Sequence, residues 1–191
     1  GDLDLVIGNA YYHQLKYYKN IGTQTDAFFV EIRDGEPGYP FSNVSSFITS
    51  NRGYWVPAFA DIDNDGDLDM LIGTDKYNVI GYGETHFFRN NGTAASASFS
   101  FEAGPMLNPF DGIESVRYAH PTFVDLDKDG DQDLLLGGYY DSSTDGYLIQ
   151  YFENTGTPSA PVFVNNSTNP TAISLLNSVN NYYSSYATPN A

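Results

Sequence analysis

The sequence is short of cysteine, of positive charge and of long apolar runs. It contains no cysteine, so a disulfide framework is excluded. Only 8 lysines and arginines stand against 24 aspartates and glutamates, which gives a formal net charge of −16. Such acidity argues against nucleic acids and anionic membrane surfaces as partners, because both are bound by basic patches. No apolar run reaches the roughly 18 residues of a membrane-spanning helix, so membrane insertion is not expected.

Motifs of the commoner catalytic chemistries are also missing. The sequence has no Gly-x-Ser-x-Gly nucleophile elbow, no phosphate-binding loop and no cysteine nucleophile. Its histidines, His13, His86 and His120, lack metal-ligand spacing. His120 occupies a repeat position that Val56 holds elsewhere, which indicates a spacer rather than a general base. We therefore expect no enzymatic activity and no catalytic residues.

The aspartates are concentrated in one motif that occurs twice. It reads Asp61-Ile-Asp63-Asn-Asp65-Gly-Asp67-Leu-Asp69, and 64 residues later Asp125-Leu-Asp127-Lys-Asp129-Gly-Asp131-Gln-Asp133. Ca²⁺ is a hard cation that takes oxygen ligands, and calcium loops supply them at alternating positions with a glycine at the sixth for the sharp turn. Without a cation, the aspartates of each run would repel one another. The motif therefore predicts two Ca²⁺-binding loops.

Each acidic motif lies inside a repeated unit of 64 to 70 residues. An apolar strand precedes the motif, and an apolar run ending in glycine, an aromatic strand with an Asn-x-Gly-Thr turn, and a short fourth strand follow it. The corresponding segments, with the aromatic strand and its turn taken together, are 1–8, 17–23 and 28–30 in the first unit, 54–60, 68–73, 87–93 and 98–102 in the second, and 118–124, 132–137, 151–157 and 161–164 in the third. Four short strands per repeat are typical of an antiparallel propeller blade.

The repeats divide the chain into four parts. Repeat 1 spans 1–53 and lacks its first strand and half of its calcium loop, repeat 2 spans 54–116, repeat 3 spans 117–182, and 183–191 is the opening strand of a further repeat. The runs 68–73 and 132–137 are apolar on both faces, as expected of strands covered by neighbouring blades. Phe59 and Phe123 are expected to pack between blades, and the segments 32–53, 103–116 and 165–184 are expected to be irregular connectors.

The blocks Phe59–Asp69 and Phe123–Asp133, with the Asn-x-Gly-Thr turns, resemble the FG-GAP or VCBS repeat family. That family occurs in integrin-like propellers and in many secreted bacterial proteins. The resemblance spans nearly the whole chain except for the variable segments between repeats. It implies an all-β fold of propeller-type blades, with four antiparallel strands in each blade, and Ca²⁺ as the bound cofactor.

The same resemblance implies a ligand set for each loop. Side chains would ligate from Asp61, Asp63, Asp65 and Asp69 in the first loop and from Asp125, Asp127, Asp129 and Asp133 in the second. Asp67 and Asp131 would each ligate through the backbone carbonyl. Asp2 and Asp4, which align with Asp67 and Asp69, would form half of another site.

The two ends of the sequence carry incomplete units, and three explanations are open. The chain is a fragment of a longer repeat protein, or it closes on itself, or the last strand of one subunit completes the first sheet of the next. Closure within one chain would give three blades, whereas propellers typically have about 4–8. Completion between subunits is a head-to-tail contact that makes rings or filaments by strand addition.

These features together predict a non-catalytic, extracellular, calcium-binding β-repeat module. Its expected role is structural or adhesive, as a subunit of a head-to-tail fibre on a bacterial cell surface or in a bacterial secretome. The partners would then be copies of the chain or neighbouring repeats. The alternative is a lectin-like, carbohydrate-binding propeller module of a secreted bacterial protein.

Two sets of residues connect the sequence to glycans. Four asparagines begin N-glycosylation sequons: Asn43, Asn91, Asn165 and Asn166. Tyrosines that could stack on sugars, or serve as amphipathic strand residues, are Tyr11, Tyr12, Tyr17, Tyr18, Tyr139, Tyr140, Tyr182, Tyr183 and Tyr186.

Overall fold

The structure is a computed structural model that describes residues 3–8, 14–44, 54–74, 83–113, 117–140 and 146–167. Those residues are all-β. Their eleven strands are β1 (Leu5–Gly8), β2 (Leu15–Asn20), β3 (Phe29–Ile32), β4 (Val56–Ala60), β5 (Asp69–Gly73), β6 (Thr85–Asn90), β7 (Phe99–Glu102), β8 (Arg117–Val124), β9 (Asp133–Tyr140), β10 (Gly146–Asn154) and β11 (Phe163–Asn165). Within them, no helix is long and apolar enough to cross a membrane.

The strands form three antiparallel sheets in which every neighbour in sequence is also a neighbour in space. The first sheet has the order β1-β2-β3, the second β4-β5-β6-β7, and the third β8-β9-β10-β11. The register repeats, because Phe59 pairs with Met70 in the second sheet as Phe123 pairs with Leu134 in the third. The predicted all-β class with antiparallel sheets is therefore confirmed, while the closure of such blades into a propeller stays a prediction. The predicted opening strand at 183–191 lies outside the described residues.

The third strand of the second sheet ends where the predicted Asn-x-Gly-Thr turn begins. Within the predicted strand-and-turn segment 87–93, β6 ends at Asn90. The side chain of Asn90 closes the turn, because its Oδ1 accepts hydrogen bonds from the backbone N–H of Gly92 over 3.0 Å and of Ser98 over 2.9 Å. An asparagine that bonds the backbone two residues later is a known turn former, and it ends the strand pairing here.

The second sheet is buried on both faces. Met70 and Ile72 belong to the apolar cluster shared with the first sheet, and Leu71 belongs to the cluster shared with the third. All three side chains have 0% exposure. Phe59 packs against the first cluster and Phe123 against the second. The prediction of packing between neighbouring sheets is confirmed for the run 68–73 and for the two phenylalanines, whereas for the run 132–137 it stays a prediction on the face turned away from the second sheet.

A phenylalanine from each described connector fills the space between consecutive sheets. The ring centroid of Phe41 lies 6.0 Å from that of Tyr17 in the first sheet. It lies 6.2 Å from the ring centroid of Phe59 and 5.3 Å from that of Phe99, both in the second sheet. The connectors therefore contribute to the core, although the sequence predicts only irregular structure for them.

Phe110 has the same role between the second and third sheets. Its ring lies 5.3 Å from Phe87 of the second sheet, and 5.8 Å and 4.5 Å from Phe123 and Phe163 of the third. Its side chain is only 2% exposed. The two connector phenylalanines thus join the three sheets by equivalent contacts.

Glycines mark where the backbones of two sheets approach each other. A Cβ atom added to Gly8 would lie 1.6 Å from the carbonyl oxygen of Trp55, and one added to Gly73 would lie 2.0 Å from that of Ala119. These distances leave no room for a side chain. Gly137 is the equivalent glycine of the third sheet, and the nearest described atom to its added Cβ is 3.8 Å away. The apolar runs end in glycine because the next sheet lies directly against them.

Candidate metal-binding loops

Two acidic loops connect the first two strands of the second and third sheets. We define the first acidic loop as residues 61–69 and the second as residues 125–133. Their first, third and fifth positions each offer one carboxylate oxygen, and within each loop these oxygens lie within 4.8 Å of one another: Asp61, Asp63 and Asp65 in the first, Asp125, Asp127 and Asp129 in the second. The structure thus brings together three of the predicted ligands in each loop.

The backbone of each loop turns at two positions with positive φ. In the first loop these are Asn64 at 58° and Gly66 at 95°, and in the second they are Lys128 at 68° and Gly130 at 102°. Glycine and asparagine tolerate this left-handed region, which side chains otherwise disfavour. The glycine at the sixth position of the motif is therefore explained by local geometry.

Carboxylates of the loop also hold its own backbone. In the first loop Asp61 accepts hydrogen bonds from the N–H of Asp65 and of Gly66, each over 3.1 Å, and Asp65 accepts one from the N–H of Asp67 over 3.1 Å. The second loop repeats the pattern in part, since Asp129 accepts from the N–H of Asp131 over 3.1 Å. These bonds fix the carboxylates in a convergent arrangement.

Several buried carboxylate oxygens of the two loops have no hydrogen-bond partner among the described residues. They are Oδ1 of Asp63, Oδ1 of Asp67, Oδ2 of Asp69, Oδ1 of Asp125 and Oδ1 of Asp131. A buried polar atom without a partner is costly, and a buried charge is more costly still. A cation bound by the loop would satisfy such oxygens, so the donor set fits a hard, oxygen-seeking metal ion.

The pKa values of loop carboxyls reflect this crowding. Burial raises the pKa of Asp69 to about 6. Burial, together with the neighbouring charge of Asp129, raises the pKa of Asp131 to about 6. The pKa values of Asp67 and Asp127 are also raised, chiefly by burial. Each shift means that the folded protein disfavours the charged carboxylate in the absence of a counter-ion.

The ninth aspartate of each motif ties the loop to the third strand of its sheet. Oδ1 of Asp69 accepts a hydrogen bond from the N–H of Asn90 over 2.8 Å, and Oδ1 of Asp133 accepts one from the N–H of Asn154 over 2.8 Å. Oδ2 of Asp133 also accepts from the N–H of Leu126 over 3.0 Å. These contacts give both aspartates a structural role, while their predicted ligation through side chains stays a prediction, as does carbonyl ligation by Asp67 and Asp131.

The predicted half-site of the first repeat is described only in part. Asp2 lies outside the described residues. Asp4 accepts hydrogen bonds from the hydroxyl of Tyr17 over 2.5 Å and from the N–H of Asn20 over 2.8 Å. The bond from Asn20 repeats the contact of the ninth aspartate in both other sheets, and the bond from Tyr17 repeats a contact of the third sheet.

The first part of the chain matches a known protein family. Residues 1–72 match the sequence profile of the FG-GAP-like repeat. This segment is similar to the FG-GAP-like repeat family. The resemblance given by the Phe59–Asp69 block is thereby confirmed, since the match extends through the first acidic loop. Comparison with curated proteins and with solved structures gives no match.

FG-GAP-like repeats are generally non-catalytic, often bind Ca²⁺ and usually occur in extracellular proteins. In this chain the matched segment contains the complete first acidic loop. The second acidic loop lies beyond the match, but it repeats the sequence, the turn geometry and the carboxylate cluster of the first. The two loops therefore share one motif, one turn geometry and one carboxylate cluster.

Sequence reasoning missed two charged neighbours of the loops. Arg89 forms an ion pair with Asp63, and its guanidinium lies 5.6 Å from the ring centroid of Phe87. Glu153 occupies the equivalent position in the third sheet, where its charge contributes to the raised pKa of Asp127. Aligning the repeats would have revealed the exchange of arginine for glutamate, because both residues directly precede the asparagine of the turn.

The four sequon asparagines are all at least partly accessible. Asn43, Asn91 and Asn165 are exposed, and Asn166 is half-buried beside Glu153, to which its amide donates a hydrogen bond. Their glycosylation stays a prediction.

The tyrosines proposed to stack on sugars are described only in part. Tyr17 is buried, so it is not available to a sugar, whereas Tyr18 is half-buried. The side chains of Tyr11, Tyr12, Tyr139, Tyr140, Tyr182, Tyr183 and Tyr186 lie outside what the structure describes. Carbohydrate binding therefore stays a prediction.

Proposed function

We propose that this chain is an extracellular calcium-binding β-repeat module with a structural or adhesive role. One observation carries the proposal: each acidic loop gathers carboxylate oxygens of three aspartates within 4.8 Å of one another and buries carboxylate oxygens that have no hydrogen-bond partner in the described part of the chain. Five aspartates in nine residues are costly unless a cation neutralises them. Bound Ca²⁺ would supply two positive charges and a centre that coordinates oxygen atoms.

The residues around each loop explain how metal binding would stabilise the fold. Asp61 and Asp65 hold the backbone of the first loop, and Asp69 connects that loop to Asn90 at the end of β6. Fixing the loop therefore fixes the β4–β5 hairpin against the third strand of the sheet. Because the loop is pre-formed only in the folded chain, metal binding and folding are linked.

Thermal melting tests this proposal directly. The melting temperature of the full chain should rise with Ca²⁺ in the millimolar range, on the order of 10⁻⁴–10⁻³ M for extracellular modules, and fall when chelator is added. Asp65→Ala and Asp129→Ala should each remove a large part of the rise. Asp111→Ala removes an exposed aspartate outside the loops and serves as the matched control. Equal melting temperatures with Ca²⁺ and with chelator would refute a structural role for the metal.

The first sheet suggests how the module takes part in an assembly. In the second sheet β4 pairs with the outer edge of β5, and in the third sheet β8 pairs with the outer edge of β9. β1 is the equivalent strand of the first sheet, and among the described residues no strand pairs with its outer edge. Leu5 and Ile7 of this edge are 42% and 43% exposed. An exposed apolar edge is a template for strand addition. The proposed partner is residues 183–191 of another copy, which would make a head-to-tail fibre.

Electron microscopy of the purified chain tests the assembly. Filaments should form in millimolar Ca²⁺ and disassemble in excess chelator, and deletion of residues 183–191 should abolish them. The truncated chain should keep its calcium-dependent melting, which shows that the loops remain folded. Filaments formed equally well by the truncated chain would exclude strand completion by this segment.

A further inference from the structure

We propose that the two acidic loops are unequal calcium sites, the first weakened by Arg89 and the second strengthened by Glu153. This inference rests on the proposed calcium binding and assigns a regulatory role to two residues outside the loops. It predicts that the second loop binds Ca²⁺ first and that the first loop fills only at higher concentration.

Arg89 and Glu153 hold the same structural position. Each directly precedes an asparagine whose backbone N–H donates a 2.8 Å hydrogen bond to the ninth aspartate of its loop: Asn90 to Asp69, and Asn154 to Asp133. The strands that carry them, β6 and β10, have the same place and order in their sheets. The difference in charge therefore acts on equivalent points of the two loops.

Arg89 places a resident cation on the first loop. Its guanidinium pairs with Oδ2 of Asp63, and the two side chains are only 25% and 20% exposed. The 5.6 Å approach to Phe87 adds a cation–π contact that holds the guanidinium in place. Asp63 supplies the third-position oxygen of the carboxylate cluster. A metal ion that binds there must share this carboxylate with Arg89 or displace the arginine, and either costs affinity.

Glu153 has the opposite effect on the second loop. It is half-buried, and it directly precedes Asn154, whose backbone N–H donates the 2.8 Å hydrogen bond to Asp133 of the second loop. A further carboxylate near the cluster increases the repulsion that a divalent cation relieves. Affinity in calcium loops rises with the number of ligand charges.

Lys128 is the one charge in the second loop that works against this difference. It stands where the first loop has Asn64, but it is exposed, so water screens its charge. Arg89, by contrast, is partly buried and directly paired with a carboxylate. We therefore expect the β6 and β10 residues to dominate, with affinities that differ on the order of tenfold or more.

Site-resolved calcium titration of the full chain by NMR measures the two affinities separately. The amide signals of Gly66 and Gly130 report on the first and second loops. Ca²⁺ would be raised from about 10⁻⁶ to 10⁻² M, which spans sensor and extracellular affinities. We expect Gly130 to titrate at a roughly tenfold lower concentration than Gly66. Arg89→Glu should move the Gly66 midpoint to lower Ca²⁺, and Glu153→Arg should move the Gly130 midpoint to higher Ca²⁺.

Matched variants separate local pairing from the overall charge of the protein. Arg33→Glu makes the same charge change at a residue that is 73% exposed and pairs with Glu31, and it should move neither midpoint by more than about twofold. Arg89→Gln removes the positive charge but keeps a polar side chain, and it should shift the Gly66 midpoint in the same direction, even if Arg89→Glu does not fold. Lys128→Asn should have a smaller effect on Gly130 than Glu153→Arg.

The possible outcomes distinguish the inference from the proposed function. Two clear midpoints with equal values, a lower midpoint for Gly66, or an Arg89→Glu effect no larger than that of Arg33→Glu would each overturn the inference and leave calcium binding intact. If neither signal responds to millimolar Ca²⁺, the proposed function fails and the inference fails with it.

Discussion

Tyr151 donates its hydroxyl hydrogen to Oδ2 of Asp133 over 3.1 Å inside the third sheet. The first sheet repeats the contact between Tyr17 and Asp4 over 2.5 Å. In the second sheet the equivalent ring is Phe87, which has no hydroxyl, and Oδ2 of Asp69 is buried without a hydrogen-bond partner among the residues that the structure describes. Because Phe87 lacks the tyrosine hydroxyl, Asp69 lacks the hydrogen bond that Asp4 and Asp133 accept from a tyrosine.

Exchanging tyrosine and phenylalanine at this position should change stability in opposite directions. Tyr151→Phe leaves Asp133 short of one donor and should lower the free energy of unfolding by about 1–3 kcal/mol. Phe87→Tyr offers Asp69 the missing donor and should raise that free energy by about 1 kcal/mol. Urea denaturation of the calcium-free protein measures both changes. Tyr54→Phe removes an exposed hydroxyl and is the control. A stabilising Tyr151→Phe would contradict the interpretation.

The pH dependence of the calcium-free protein should be opposite to that of a protein held by salt bridges. The pKa of Asp69 and that of Asp131 are each raised from 3.8 to about 6, so the folded state binds these protons more tightly than the unfolded state does. This contribution to stability is fully present below pH 3.8 and is lost as the pH rises through about 6. Thermal melts of calcium-depleted protein from pH 4 to pH 8 should show this decline. Asp69→Asn combined with Asp131→Asn should flatten it, and an unchanged slope would assign the effect to other groups.

The connector phenylalanines should matter as much as residues within the strands. Phe110→Ala removes a ring that contacts the second and third sheets, so the free energy of unfolding should fall by about 3–5 kcal/mol. Phe41→Ala should have a similar effect between the first and second sheets. Met106→Ala changes a neighbouring connector residue that is 95% exposed and should be nearly neutral. Chemical denaturation measures all three variants, and a neutral Phe110→Ala would mean that the connector does not hold the sheets together.

Alanine at the strand-ending glycines gives a direct measure of contact between sheets. Gly73→Ala places a Cβ 2.0 Å from the carbonyl oxygen of Ala119, and the backbone shift that relieves it should cost about 1–3 kcal/mol or more. Gly137→Ala meets no described atom closer than 3.8 Å and should change stability by less than about 0.5 kcal/mol. A large loss at Gly137, measured by the same denaturation experiment, would show that another part of the chain packs against the third sheet.

Features that repeat in the sequence proved the easiest to predict. The strand order follows from apolar runs at fixed spacing, and the turn glycines Gly66 and Gly130 follow from their place in the acidic motif. The position of Phe41 and Phe110 between sheets did not follow, because isolated aromatic residues in connectors have no periodicity that reveals a buried face. The only sequence signal is the Pro-Phe pair that the two connectors share.

In the candidate sites, too, some contacts could be predicted from the sequence and others could not. The aspartates that converge could be predicted because a short loop brings its own alternate residues together. Arg89 could not be assigned to Asp63, because the pair is 26 residues apart and meets only when β6 pairs beside the hairpin. The hydrogen bond from Asn90 to Asp69 depends on the same strand pairing. Contacts across strands depend on register, which repeated sequence alone does not specify.

Both faces of the second sheet are covered by neighbouring sheets, so this sheet is an internal repeat and not an independently folding domain. Met70 on one side and Leu71 on the other are kept from water by different neighbours. Removing either neighbour would expose an apolar face to water. The sheets are therefore expected to unfold in succession from an end, as in linear repeat arrays. The free energy of unfolding of such an array grows with the number of stacked sheets, and a sheet with only one neighbour is the least stable.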